Sequence, residues 1–185
     1  VLRNSPTLAA LLICLATAIA QAGPAALSAE ECAVLGALIS AEAHLRGSEH
    51  VVVLNRTSAP RFMGRAGSEW TGAGEGTWSD LQAKINDSVP VEPRVQAPLT
   101  ASVVSSAELQ AMEQSGEFSR EAFQERYPGA RGVLTFSRVG INAAGDESLA
   151  TVVYQDGERS EVFLARLVKR AGIWRLASET PLWAL

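Results

Sequence analysis

The spacing of apolar residues along this chain changes at Pro128-Gly129. Upstream it is mostly helical, and downstream it alternates with a period of two. Ser28-Ala29-Glu30-Glu31 forms a capping box, in which the serine oxygen accepts from the Glu31 backbone and the Glu31 side chain reaches back. Val34, Leu35, Leu38, Ile39 and Ala43 follow at helical spacing, and Gly47 supplies the stop. The run His50–Asn55 is short and rich in β-branched residues, which predicts a buried strand. Ser79–Ile85 predicts a short helix. Two further helix starts stand at Ser105 or Ser106 and at Ser119, the second helix stopping by Pro128-Gly129. Leu109 and Met112 face inward from the first, and Phe118, Ala122 and Phe123 supply the apolar stripe near the second.

Beyond Gly129 the alternation predicts strands over Val133–Val139, Leu149–Tyr154, Glu161–Lys169 and Trp174–Ser178. A last short strand or extended tail carries Leu182 and Trp183. Gln155-Asp156-Gly157-Glu158 reads as a hairpin turn, because Asp-Gly supports positive φ. On Glu161–Lys169, Phe163, Ala165 and Leu167 share one face, while Val162, Leu164 and Val168 share the other. A strand apolar on both faces is central and covered on both sides. These elements predict an α+β fold: an N-terminal helix and strand, an irregular middle, two short helices and a C-terminal four-stranded antiparallel meander packed as one sheet. The helices are expected on one of its faces.

The middle, residues 61–98, is a loop-rich arm. Gly64, Gly67, Gly72, Gly74 and Gly76 break any period, so Gly64–Thr77 reads as a loop, while Pro90, Pro93 and Pro98 keep the following stretch extended. Trp70 lies inside this loop and Trp78 just beyond its end. They form either a sugar-stacking surface or, the simpler reading, apolar anchors that pin the loop to the core.

Arg3 is the only charged residue before Glu30, and it precedes the uncharged run Leu8–Ala16. Ala18-Ile19-Ala20 and Ala20-Gln21-Ala22 both suit cleavage at small residues. A positive start, a short apolar core and a small-residue exit predict a secretory signal peptide over residues 1–22, and a single domain over 23–185. The apolar run is shorter than the ~20 residues of a membrane span. Cys14 follows Leu11-Leu12-Ile13 and raises lipid anchoring, but Ile13 stands where a small residue is wanted. Cleavage leaves 163 residues and moves the net charge from −4 to −5. The acidic balance argues against nucleic acid as a partner, which needs a basic stripe. The one cysteine beyond the leader, Cys32, cannot staple the fold internally, and its helical setting reads as a structural thiol.

Several phrases occur in a fixed order: Tyr127-Pro128-Gly129, then Leu134-Thr135-Phe136-Ser137-Arg138-Val139-Gly140-Ile141-Asn142, then Val152-Val153-Tyr154. Leu164, Leu167, Lys169, Gly172 and Trp174 follow, and finally Trp183. The order resembles an uncharacterised family of exported bacterial proteins marked by YPG, LSRVGFN, ALVYV and YVLLxKxxGxW elements. The resemblance covers Ser105–Leu185 and is weaker over Val51–Val91. It departs at Arg159-Ser160-Glu161, where the family has glycines, and at the ending Trp183-Ala184-Leu185. It implies an export route and a fold, and it carries no catalytic residue to this chain.

Ser137, Arg138 and Asn142 are the polar members of the second phrase. In a functional reading they form a small binding site with Tyr154, and Arg138 grips a carboxylate. In a structural reading Gly140 permits a bulge or bend, while Ser137 and Asn142 satisfy backbone groups of the turn before Gly145. His44 and His50 are the only histidines, and with no HExxH and no cysteine pair they predict no metal site. No catalytic constellation, phosphate loop or dinucleotide fingerprint is present, and no cofactor is expected. Two functions remain. One is a non-catalytic periplasmic or extracellular domain that binds a small ligand or an envelope protein, with no membrane span after cleavage. The alternative is a small hydrolase or isomerase on a cone-shaped α+β scaffold, drawing on Arg138, Tyr154, His44 and His50. For the leader, mass spectrometry of the secreted protein should find an N-terminus near Gln21 or Gly23. A cytoplasmic chain still carrying Val1 would overturn this.

Overall fold

The computed structural model describes residues 26–60, 72–91 and 100–184. The expected leader, the stretch holding Trp70, and Pro93 and Pro98 lie outside the described residues. The helices are α1 (Ala29–Arg46), α2 (Glu75–Lys84), α3 (Ser106–Ser115) and α4 (Arg120–Arg126). The strands are β1 (His50–Leu54), β2 (Thr100–Val104), β3 (Ala130–Phe136), β4 (Gly140–Ile141), β5 (Glu147–Gln155), β6 (Ser160–Arg170) and β7 (Ile173–Ala184). They form one sheet in the order β2-β1-β3-β5-β6-β7, with β4 paired to β5. The meander β3-β5-β6-β7 is antiparallel, and β1 runs parallel to both β2 and β3.

Local chemistry sets the ends of these elements. Ser28 and Glu31 close the capping box of α1, and Gly47 ends the helix in the left-handed region at φ 60°. Ser105 and Glu108 repeat the box at α3, and the Ser119 hydroxyl caps α4. At the β5–β6 turn, Asp156 Oδ1 accepts from the amides of Glu158 and Arg159 at 3.2 and 3.0 Å. Gly157 there takes φ 85°, and a Cβ on it would lie 1.8 Å from the Phe118 carbonyl oxygen. Only glycine fits.

Four features differ from the sequence reading. The strand expected over Val133–Val139 is broken after Phe136 and resumes as β4. Helix α2 begins inside the glycine-rich stretch, at Glu75. Its N-cap Gly74 has no capping side chain. Instead, Glu147 accepts from the Gly74 amide at 2.8 Å and from Thr77 Oγ1 at 2.7 Å, an acid at a helix N-terminus supplied from 73 residues away. Strand β2 was not expected, since its side chains alternate poorly and its support is the parallel register with β1. The two last strands are one, β7, whose Pro181 is accommodated at the sheet edge beside a shift in register.

The helices also lie on both faces rather than one. Alternate residues of a strand point to opposite sides, and the core divides accordingly. On the first face α1 buries Val34, Leu35, Leu38 and Ile39 against Val51, Val53, Leu134, Phe136, Val152 and Leu167. Each such side chain contributes about 1.5–3 kcal/mol by leaving water. On the second face, Leu109, Met112, Phe118 and Phe123 from α3, α4 and their connection cover Val52, Leu54 and Val133. There too, Trp78, Leu81 and Ile85 of the α2 region cover Leu149 and Leu164.

Gly140 is where α2 meets the broken strand. A Cβ there would lie 2.4 Å from the Leu81 amide nitrogen and 2.6 Å from the Thr77 carbonyl oxygen. The glycine serves close backbone approach rather than a turn of unusual φ. Asp80 completes the contact by accepting from the Ile141 amide at 2.8 Å. Gly140→Ala should therefore cost about 1–3 kcal/mol in chemical denaturation. Gly76→Ala, with nothing within 4 Å of the added carbon, should cost nothing. Equal effects at the two positions would refute the close-approach account.

Candidate functional site

The polar residues of the Ser137–Asn142 phrase are engaged within the fold. Arg138 Nε donates to Glu31 Oε1 at 2.7 Å and Nη2 to Glu31 Oε2 at 3.0 Å, while Nη1 lies 3.6 Å from Asp87. The Arg138 and Glu31 side chains are 9% and 3% exposed, so the fork faces inward. Burial pushes the Glu31 carboxyl up, but hydrogen bonds from Arg138 and Ser28 outweigh it and hold the group below the usual carboxylate range. Ser137, fully buried, donates from Oγ to the Arg138 carbonyl and accepts from the Thr151 amide at 2.9 Å. It thus bridges the break between β3 and β4. Asn142 Oδ1 accepts from the amides of Asp146 and Glu147 at 3.0 and 3.2 Å, holding the turn before β5.

Tyr154 lies on the α1 face of β5. Its hydroxyl donates to the Arg131 carbonyl at 2.8 Å, and the Arg46 guanidinium sits 3.6 Å over its ring. His50 spans the parallel strands. Its Nδ1 lies 3.1 Å from the Pro128 carbonyl, an acceptor only, so Nδ1 donates and a neutral ring accepts at Nε2 from Ser102 Oγ at 2.8 Å. His44 is exposed on α1. Tyr154 and His50 line one small crevice of about 10 Å³ beside Glu42 and Arg46, too small for a substrate, and Arg138 and His44 lie outside its described lining. Among the described residues no group of three or more His, Cys, Asp or Glu is placed to hold a metal, and no helix is long and apolar enough to cross a membrane.

The open space lies elsewhere, on the second face of the sheet. A groove of about 590 Å³ runs beside α3. Its floor is one cross-strand row. Thr135 pairs with Val153, Val153 with Val162, and Val162 with Trp183, while Leu54 stands at the β1 end. Leu109, Gln110 and Glu113 of α3 form one wall, and Ser58, Ala59 and Pro60 close another side. Gln155 and Ser160, a cross-strand pair, lead into a second depression beside the β5–β6 turn. The result is an apolar floor with a hydrogen-bonding rim, and Glu113 is the charged residue of its described lining. Sequence reasoning placed Val162 and Leu164 on one face of β6 but had no means to tell which row would floor a groove. Trp78 is buried against Leu81, Ile85 and Leu164, an anchor between α2 and the sheet.

Protein-family models, curated proteins and solved structures were all compared with this chain, and none matches it.

Replacing Arg138 leaves Glu31 buried without its cation. Arg138→Ala should therefore lower stability by about 3–5 kcal/mol, and Arg138→Met with Glu31→Gln should recover part of the loss. Thermal and urea melts measure both. Unchanged stability in Arg138→Ala together with lost ligand binding would reassign the residue to a binding site.

Proposed function

We propose that this is an exported, non-catalytic binding domain, periplasmic or extracellular, that takes a small ligand or an extended segment of an envelope protein in the groove beside α3. The observation that carries this reading is the row Leu54, Thr135, Val153, Val162 and Trp183, which floors the groove and is half-exposed at Val153 and Trp183. One residue from each of five strands contributes to a largely apolar floor between a helix and a loop. Such a floor favours a flat or extended apolar body. The amide and hydroxyl groups of Gln110, Ser58, Gln155 and Ser160 at the rim fix its orientation. Trp183, half-exposed at the far end, offers a broad face for stacking.

A thermal-shift screen of small ligands and envelope-derived peptides, followed by titration of the hits, tests the proposal. Val153→Arg places a charge on the middle of the floor while leaving the α1 face untouched. It should fold, by circular dichroism, and weaken the hits at least about tenfold, the loss expected when an apolar contact of about 1.4 kcal/mol is removed. Hits that bind Val153→Arg as tightly as the parent would move the site away from the groove.

A further inference from the structure

Two acids meet under α1 without a cation between them. Glu42 is 1% exposed on the C-terminal half of α1. Glu179 lies on β7 opposite Ala165, a residue of the α1-facing core, and its carboxyl meets that of Glu42. Glu42 Oε1 and Glu179 Oε1 are both buried, and no donor among the described residues reaches either. An ionised carboxylate only accepts hydrogen bonds, so the two carboxyls can bond directly to each other only if one keeps its proton and donates.

The surrounding charges do not remove this need. Arg46, on the same helix, donates from Nε to Glu42 Oε2 at 3.0 Å, but its Nη1 is turned to Glu161 Oε2 of β6 at 3.3 Å. One guanidinium thus serves two carboxyls, those of Glu42 and Glu161. Glu161 also draws on Arg159 at 3.7 Å, which is itself committed to Asp156 at 3.0 Å. From β5, Tyr154 presents its ring to Arg46. His50 of β1 and Arg131 of β3 line the small crevice next to Glu42 and Arg46.

We propose that Glu42 and Glu179 share one proton as a latch, which joins the C-terminal half of α1 to the edge strand β7 and releases when that proton is lost. Burial first, and then the Glu179 carboxyl, push Glu42 up to about 8 against the opposing pull of Arg46. The pair therefore works in the neutral to mildly alkaline range rather than in acid. Trp183 lies four residues beyond Glu179 on the same strand, so release also loosens one end of the groove floor. That consequence rests on the groove being the binding site, whereas the latch does not.

A carboxyl raised in the folded state binds its proton more tightly there than in the unfolded chain. The stability it supports is complete below the ordinary value near 4.5 and is lost as pH rises towards about 8. Glu30, Glu31, Glu147 and Asp156 are all lowered, so their contributions change on the acid side of this window. The test is the unfolding equilibrium constant together with residue-level hydrogen exchange, measured without ligand from about pH 5 to pH 8.5. The constant should rise by up to about tenfold per pH unit. Amides of β7 around Glu179, corrected for intrinsic exchange, should lose protection before those of β3 and β5. Glu179→Gln and Glu42→Gln should flatten both responses, while His44→Gln and His50→Gln should keep them. A flat parent profile, or a full slope in both glutamine variants, overturns the latch. If neither glutamine variant folds, infrared spectroscopy of the parent decides. A protonated-carboxyl band present near neutrality and lost in alkali supports the latch, and its absence near neutrality overturns it.

Discussion

The bidentate bond between Arg138 and Glu31 joins chain segments 107 residues apart and organises what lies around it. Glu31 is already committed to the first turn of α1, where it receives the Ser28 amide at 2.9 Å. One carboxylate therefore closes a helix start and docks that start on the sheet. Its partner sits where β3 stops and β4 has not begun, so the guanidinium also sets the bend between them. Both groups are removed from water, which costs several kcal/mol per ion, and the cost is offset only because each lone pair and donor edge is aimed at the other. The pair makes this corner specific more than it makes the protein stable.

The same device recurs at other seams. Glu30 takes the Trp174 indole at 2.7 Å and the Lys169 ammonium, tying α1 to β6 and β7. Glu147 holds the N-terminus of α2 and is itself held by Arg166 Nε at 2.8 Å. Asp80 links α2 to β4 and to Lys84. Helices α1 and α2 are thus fastened by acids that reach a backbone amide or a cation across an interface, with apolar packing beneath. Glu42 and Glu179 depart from this pattern, because there the second partner is another acid. That contrast is the basis of the proposed latch.

The groove follows from unequal cover on the two faces. One 18-residue helix crosses the first face over several strands. The second face is shared by α2 and α3, each of 10 residues, and the 7-residue α4. Their apolar stripes are too short to hide every row of the sheet, so one row stays open at its centre. Gly140 brings α2 close at one end and Gly157 brings the α3–α4 connection close at the other. The row is therefore flanked on both sides, along the strand direction, by backbone contacts that admit no side chain.

Much of the local structure is legible in the residues themselves. The boxes at Ser28 and Ser105, the stop at Gly47, the Asp156-Gly157 turn and the alternation of Glu161–Lys169 each depend on residues within a few positions of one another, where propensity and hydrogen bonding act without help. Arg138 was singled out on sequence, but its partner was not, because nothing local connects it to Glu31. The same holds for Glu147 beneath Gly74, for the parallel pairing of β2 with β1, and for the meeting of Glu42 with Glu179. The chain alone determined the class of fold and the ends of most elements. The tertiary structure decided which faces are covered, which acids find cations and which row of the sheet floors the groove. These outcomes turn on contacts between residues tens of positions apart, whose geometry exists only once the sheet has assembled.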